Sequence, residues 1–146
     1  MVELSIEEKI ALSNIRAEKS KEAINDAIGS LKGGMYKTSA NRSYYAVLHA
    51  ARSLLILHGS DPLKHDGVKT MIALHFVKTK MLPEEVIAIF KDLLTLRSDV
   101  DYGDFVSVDK DDAEDAIARA KRFIGIIEPL REQLIKEMSN SPHPPL

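Results

Sequence analysis

The chain has 146 residues, of which 45% are hydrophobic and 29% charged, and its net charge is −2 at neutral pH. This composition is typical of one soluble globular domain, and the charge argues against a general electrostatic attraction to nucleic acid, although it allows a local basic patch. No cysteine is present, which excludes disulfides, zinc–thiolate sites and thiol catalysis.

The first residues do not have the pattern of a signal peptide. The opening residues MVELSIEEKI are acidic, whereas a signal peptide needs a positive region before an apolar one. No stretch reaches the length of uncharged apolar sequence that a membrane span requires. We therefore expect a cytoplasmic protein without a membrane partner.

The first helix is predicted to begin after Ser5, because Ser5 and Glu8 have the spacing of a capping box. It should extend about 25 residues to Gly33–Gly34, with charged residues such as Arg16 and Lys19 facing solvent. Its apolar positions recur at near-helical spacing, at Ile6, Ile10, Ile15, Ile24, Ile28 and Leu31.

A second helix is predicted from about Thr38–Ser39 to Gly59, which can adopt the positive φ of a helix end. Its apolar stripe is Tyr44, Leu48, Ala51 and Leu55. After the loop GSDPLKHDG, Asp66 should cap a short third helix. Its apolar positions are Val68, Met71, Ile72, Phe76 and Val77.

The fourth helix should have Pro83 in its first turn and end at Gly103. Asp109 or Asp112 should cap a long last helix that is kinked at Pro129. This helix should end at Leu134 or Met138, before the proline-rich tail SNSPHPPL. No segment alternates like a strand, so the sequence predicts an all-α, antiparallel, up-and-down four-helix bundle with one additional short helix. The bundle is one domain, residues 1–138, and residues 139–146 form a disordered tail.

Polar residues on the second helix form a stripe beside the apolar one. Arg42, Tyr45, His49 and Arg52 are three, four and three residues apart, which places them on one helix face. Such a stripe is either a ligand-binding surface or simply a partly solvated helix edge.

Charged residues also cluster near the end of the fourth helix. Arg97 and Asp101 are four residues apart and can form an ion pair worth about 0.2–0.5 kcal/mol. Asp99, Asp101 and Asp104 lie where the helix dipole disfavours carboxylates, so Arg42 or Arg52 is expected to neutralise them.

The scattered histidines indicate no metal site. There is no HExxH motif and no repeated ExxH pair, so we expect neither a metal nor another cofactor. His58 falls on the core side of its helix and is predicted to be packed rather than to bind a ligand. Phosphate-binding glycine loops and a GxSxG nucleophile motif are also absent from the sequence.

Three strings, SANRSYYAVLHAARSLLILHG, KHDGV and LRSDVDYGDF, together resemble the HEPN domain family over about residues 8 to 128. The resemblance implies a small helical bundle that forms a homodimer. It also implies a role related to nucleotides or RNA, in a toxin–antitoxin-like pair with a minimal nucleotidyltransferase as partner.

Many members of the family resembled here are metal-independent ribonucleases, with an arginine followed four to six residues later by a histidine. Arg97 occupies the arginine position, but Tyr102, preceded by Asp101, stands where the histidine would be. A phenol with a pKa near 10 is a poor general base at neutral pH. Arg42 and His49 have a similar spacing, but they match a different stretch of the family pattern. The resemblance also makes Tyr102 a candidate target for nucleotide transfer by the partner.

The preferred hypothesis is a nucleotide-, RNA- or partner-binding module of a nucleotidyltransferase-linked system, without efficient ribonuclease activity. Its pocket would be lined by Arg42, Tyr45, His49, His65, Arg97, Asp101 and Tyr102. Arginines would bind phosphate with two hydrogen bonds, and tyrosines would stack or donate hydrogen bonds. One alternative is a metal-independent endoribonuclease toxin, with Arg97, Asp101 and Tyr102 as candidate catalytic residues. Another is a scaffold whose polar stripe is only a dimer interface.

Overall fold

Helices account for nearly all of the regular structure. The computed structural model describes residues 3–103 and 107–140, apart from the side chain of Tyr102. In this part of the chain lie α1 (Ile6–Lys32), α2 (Tyr36–His58), α3 (His65–Ile72), α4 (Glu85–Tyr102) and α5 (Lys110–Asn140), with a π-helical turn at Ala73–Val77. The same residues form no strand. The predicted all-α class, with four long helices and one short one, is confirmed.

Local sequence signals determine most helix ends. Ser5 and Glu8 form the predicted capping box, in which the Glu8 N–H donates to Ser5 Oγ at 3.1 Å and the Ser5 N–H to Glu8 Oε1 at 3.0 Å. Gly59 ends α2 with a φ of 90°, where a residue with a Cβ atom would be strained. At the start of α5, the Asp112 N–H donates to Asp109 Oδ1 at 2.8 Å, and the Asp109 N–H donates to Asp112 Oδ2 at 3.1 Å. Both predicted caps of α5 therefore act together.

Four boundaries differ from the prediction. Helix α2 begins at Tyr36, two residues before the predicted Thr38. The prediction that Asp66 caps α3 is wrong, because α3 starts one residue earlier and its N-cap, Lys64, makes no side-chain hydrogen bond. Pro83 immediately precedes the α4 N-cap, Glu84, rather than lying in the first turn. The last helix continues through Pro129 to Asn140, two residues past Met138. Residues 141–146 of the predicted tail lie outside the described residues.

The contact between α1 and α2 is made by small residues. The buried positions of α1 are Ser13, Ala17, Ser20, Ala23, Ala27 and Ser30. The predicted apolar row lies beside this face: its other members are half-buried, and Ile15 is 52% exposed. Small side chains let the two backbones approach closely. Because the helices are so close, serine hydroxyls on one helix donate hydrogen bonds to main-chain carbonyl groups on the other. These bonds are Ser13 to Ser53 at 2.6 Å, Ser20 to Ala46 at 2.7 Å and Ser39 to Ala27 at 2.8 Å.

Helix α2 lies at the centre and packs against α1, α3, α4 and α5. Its predicted apolar stripe, Tyr44, Leu48, Ala51 and Leu55, is buried as expected. The Tyr44 ring meets Phe90 of α4 edge-on at 5.7 Å, and Phe90 in turn lies 6.4 Å from Phe123 of α5. This aromatic chain packs the buried face of α2 against α4 and, through Phe90, connects it with α5.

A buried arginine ties α5 to α1. Arg131 binds both Glu128 oxygens, at 2.6 and 3.0 Å, and donates to Asn14 Oδ1 at 2.8 Å and Ser13 Oγ at 3.2 Å. These bonds satisfy a charge that would otherwise be costly to bury. Within the described residues, no helix is apolar over a length that would cross a membrane.

Candidate functional site

Tyr45 is the centre of a polar cluster on the face of α2. Arg97 Nη2, from α4, donates a hydrogen bond to the Tyr45 hydroxyl at 3.1 Å. The Arg42 guanidinium lies over the Tyr45 ring at 4.9 Å, and that of Arg97 is 5.7 Å from the same ring. Attraction between cation and ring therefore helps to hold two guanidinium groups close together despite their like charge.

The orientation of Arg97 is set by a second partner. Its Nε atom lies 2.9 Å from Asp101 Oδ2, one helical turn along α4, which confirms the predicted ion pair. Arg97 is thus held from both sides, by Asp101 and by the phenol of Tyr45. A fixed guanidinium loses less entropy when it binds an anion than a mobile one does.

The predicted neutralisation of the acids at the end of α4 by α2 arginines is not observed in the described residues. Arg52 pairs with Asp61, in the loop after α2, at 3.2 Å. Arg42 lies over Tyr45 and forms no ion pair in the described part of the chain. Asp104, one of the predicted acids, falls outside the described residues.

His65 joins the cluster from the first residue of α3. Its Nδ1 atom is hydrogen-bonded to the Tyr44 hydroxyl at 2.6 Å, and the two rings stack at 5.4 Å. Burial raises the pKa of the Tyr44 phenol, and the charge of Arg97 offsets this only in part. Burial and the charges of Arg97 and Arg52 lower the pKa of His65. Both groups are therefore neutral near pH 7.

An open recess lies between α3 and α4, beside His65 and Arg97. It has a volume of about 450 Å³ and is lined by Lys64, His65, Asp66, Leu94, Thr95, Arg97, Ser98 and Asp99. Of the sequence-predicted site residues, His65 and Arg97 line this recess. Arg42, Tyr45 and His49 continue away from it along α2. Tyr102 is the last residue of α4, and its side chain lies outside the described residues.

His49 lies near basic residues of both α1 and α2. Its ring lies 6.3 Å from that of Tyr45. Burial lowers the pKa of His49 to about 4, and the charges of Lys19, Arg52, Arg42 and Arg16 act in the same direction. His49 is therefore an uncharged group surrounded by cations.

Sequence reasoning did not include Arg16 and Lys19 in the site. Lys19 is exposed, as predicted, and Arg16 is half-buried. They belong to the site because α1 packs on α2 through small residues, and these two positions flank buried Ala17 and Ser20. A serine–alanine row at helical spacing was the available signal. If this row had been interpreted as the packing face of α1, the sequence would have predicted that both cations lie beside α2.

Arg16 and Arg52 converge on Asp61. Arg16 Nη1 lies 3.1 Å from Asp61 Oδ1, and Arg16 Nη2 donates to Asp61 Oδ2 at 3.1 Å. Arg52 Nη2 donates to Asp61 Oδ1 at 3.2 Å. Partial burial alone would raise the pKa of Asp61, but the hydrogen bonds and charges of the two arginines lower it overall.

The prediction that His58 packs into the core is wrong. His58 is exposed at the last residue of α2. It stacks on His75 of the π-helical turn with 4.0 Å between ring centroids, and Phe76 lies beside it at 5.8 Å.

Comparison with known proteins agrees with the resemblance in the sequence. A family model described as the HEPN domain matches residues 14–130. A UPF0332 protein of Thermotoga maritima is 31% identical over 116 residues, which cover 80% of this chain and 88% of that protein. A UPF0332 protein of Pyrococcus horikoshii is 42% identical over 80 residues, 55% of this chain and 54% of that protein. A Methanocaldococcus jannaschii protein named "Putative toxin MJ0142" is 29% identical over 109 residues, 75% of this chain and 72% of that protein. Because the family match extends from α1 into α5, the chain belongs to the HEPN domain family.

Proposed function

We propose that this HEPN protein is the nucleotide- or RNA-binding member of a toxin–antitoxin-like system, and that it has no efficient ribonuclease activity. The observation that carries the proposal is the convergence of Arg42 and Arg97 on Tyr45. Two guanidinium groups that meet at one ring, one of which, Arg97, also lines the open recess, match the charge and the hydrogen-bonding geometry of a phosphate group. The neighbouring phenol offers a surface on which a base can stack.

The electrostatic surroundings support an anionic ligand. Four cations act on His49, and two cations and one carboxylate, that of Asp66, act on His65. Among the described residues, the buried Nε atom of Arg42 has no hydrogen-bond partner. A buried unsatisfied donor costs free energy, and an incoming phosphate oxygen would remove that cost.

The biological setting is proposed from the relatives. Two Methanocaldococcus jannaschii relatives carry toxin names, which supports a toxin-like or antitoxin-like role for this chain. We include in the proposal a homodimer and a minimal nucleotidyltransferase partner, as the HEPN resemblance implies. Tyr102 is the residue to test as a target of nucleotide transfer, by mass spectrometry of the protein after incubation with such a partner and ATP.

A second candidate function, metal-independent RNA cleavage, is favoured by one observation. His65 lines the same recess as Arg97 and is held in a fixed orientation by Tyr44. A neutral imidazole can accept the proton of a ribose 2′-hydroxyl while that oxygen attacks the phosphorus and the 5′-oxygen leaves. Arg97 would then stabilise the negative charge on the phosphoryl oxygens.

One experiment separates the two functions. Purified protein is incubated with total RNA in EDTA, and binding of a labelled single-stranded RNA is measured in parallel by fluorescence anisotropy. We expect binding without cleavage, and a roughly tenfold or greater loss of affinity in Arg97→Ala, because a hydrogen bond to a charged group is worth about 1.5–3 kcal/mol.

Arg119→Ala is the matched control, since Arg119 pairs with Asp92 between α4 and α5 and lies outside the cluster around Tyr45. It should bind RNA like the wild type. Cleavage by the wild type that both Arg97→Ala and His65→Gln lose would replace the binding function with the ribonuclease. Equal RNA affinity of the wild type and Arg97→Ala would reject this site altogether.

A further inference from the structure

The Arg16–Arg52–Asp61 cluster has more positive than negative charge. The two guanidinium groups share one carboxylate, at 3.1 to 3.2 Å. The arginine side chains are 15% and 28% exposed, whereas that of Asp61 is 41% exposed. The carboxylate therefore lies on the solvent side of two more deeply placed cations.

Arg16 has a second contact that does not involve Asp61. Arg16 Nη1 also donates to the main-chain carbonyl of Arg52 at 3.4 Å, which joins α1 to α2 at this point. The Nε atom of Arg52 is buried and has no hydrogen-bond partner in the described part of the chain. Asp61, in contrast, belongs to the connection between α2 and α3, residues 59–64. The pair of cations is thus built into the helices, and the anion comes from a loop.

Arg52 of this cluster also belongs to the row of basic residues on α2. Arg42 and Arg52 are ten residues apart on one helix face, which corresponds to about 15 Å along the axis. The charge of Arg52 acts on both His49 and His65, so it belongs to the same electrostatic surface as Arg97. A line of this length exceeds one phosphate group and suits a chain of linked phosphates.

We infer that Arg16 and Arg52 form a second phosphate subsite, which the Asp61 carboxylate occupies and which a phosphate of a bound oligonucleotide takes over. Arginine binds carboxylate and phosphate oxygens with the same planar arrangement of donors, so one can replace the other. The inference rests on the proposed function, since that function places the first phosphate of the oligonucleotide at Arg97 and Arg42.

Because a phosphate must replace the Asp61 carboxylate at the second subsite, Asp61 should affect long and short ligands differently. A mononucleotide has a single phosphate, which the proposal places at Arg97, so it gains nothing from the second subsite. A longer chain gains the Arg16–Arg52 contact but must first displace the carboxylate. Asp61 therefore acts as an internal competitor that weakens the binding of oligonucleotides and leaves the binding of mononucleotides unchanged.

The test measures the affinity of a fluorescein-labelled uridine hexanucleotide by anisotropy, and that of uridine monophosphate by competition. Asp61→Asn should bind the hexanucleotide roughly tenfold more tightly, because it frees charge-assisted hydrogen-bond donors. The slope of log affinity against log salt should steepen by about 0.7 for the additional phosphate contact. Affinity for uridine monophosphate should not change.

Asp115→Asn, at an exposed position of α5, changes the net charge equally and should leave both affinities unchanged. Adding Arg16→Gln to Asp61→Asn should cancel the gain, and circular dichroism and thermal melting show whether each variant is folded. An unchanged hexanucleotide affinity in Asp61→Asn, an equal gain in Asp115→Asn, or a gain that survives Arg16→Gln would each overturn the inference.

Failure of the subsite is distinguishable from failure of the proposed function. If Arg97→Ala abolishes hexanucleotide binding and Asp61→Asn does not change it, the second subsite is wrong and the proposed function stands. If neither the wild type nor Asp61→Asn binds the hexanucleotide, both are wrong.

Discussion

At the scale of single residues, the site depends on neutral aromatic groups placed among cations. Tyr45 is hydrogen-bonded by Arg97 and covered by Arg42, and His65 is hydrogen-bonded to Tyr44. The Tyr45 ring attracts both guanidinium groups, so Arg42 and Arg97 can lie near each other although no carboxylate lies between them in the described residues. The resulting positive potential is local, so a net charge of −2 on the whole chain is compatible with the proposed phosphate site.

His49 should make the stability of the protein depend on pH. Its pKa is about 4 in the folded protein, below the ordinary 6.5, because of burial and of Lys19, Arg52, Arg42 and Arg16. The unfolded chain therefore binds more protons between these values, and the free energy of unfolding falls as pH decreases from 6.5 towards 4. The loss should be on the order of 1–2 kcal/mol, less than the full shift implies because the partly exposed ring is screened by solvent.

The measurement is urea denaturation at several pH values from 7 to 4.5, for the wild type and His49→Gln. The variant should show a flatter dependence over this window. The lowered pKa values of His65 and His58 act in the same direction, so a residual slope is expected. The carboxyl group of Asp61 contributes only below its ordinary pKa of 3.8. Identical pH profiles for the two proteins would contradict the prediction.

At the scale of secondary-structure elements, the close contact of α1 and α2 determines where the α1 cations lie. Ser20 is buried at this contact and donates to the Ala46 carbonyl at 2.7 Å. Arg16 and Lys19 lie beside it on α1. A change in the spacing of the two helices would therefore move these cations relative to His49 and Asp61.

Ser20→Leu should separate α1 from α2. Replacing a small buried residue by a large one in a tightly packed contact costs about 1–3 kcal/mol, whereas Ser20→Ala removes one hydrogen bond and should cost about 0.5–1.5 kcal/mol. Lys21→Leu, at an exposed neighbouring position, should leave the free energy of unfolding nearly unchanged. Urea titrations of the three variants provide the comparison. If Ser20→Leu proved as stable as Ser20→Ala, the two helices would not be in such close contact.

At the scale of the whole molecule, α2 joins the core to the site. Its buried face carries Tyr44 into the aromatic chain with Phe90 and Phe123, and its polar face carries Arg42, Tyr45, His49 and Arg52. The same helix therefore connects the packing of the other helices with the position of the groups proposed to bind the ligand. Mutations that loosen the core should weaken ligand binding as well as stability.

The proposed homodimer allows one further test, by sedimentation velocity of the wild type and Arg42→Ala. We expect both to sediment as dimers, and Arg42→Ala to bind RNA at least several-fold more weakly, since it removes one charged contact. A variant that becomes monomeric and binds RNA like the wild type would identify the polar stripe as a dimer interface. That outcome would favour the scaffold function.

Much of the fold follows from the sequence because its signals act over short distances. The Ser5–Glu8 capping box, Gly59 and the Asp109–Asp112 pair each define a helix end through residues within one turn. The face of α2 and the Arg97–Asp101 pair follow from helical periodicity alone. The missing histidine after Arg97 is likewise visible in the sequence, at Asp101 and Tyr102.

Contacts between residues far apart in the chain could not be predicted from the sequence and are known only from the tertiary structure. Arg16 and Asp61 are 45 residues apart, and Arg97 and Tyr45 are 52 apart, so helical periodicity says nothing about whether they meet. On α1 the isoleucines are the stronger hydrophobic signal in the sequence, yet the serine and alanine residues beside them make the close contact with α2. The sequence thus determined which helices form and which side chains share a helix face, and the packing of α1, α3 and α4 around α2 determined which charges lie together.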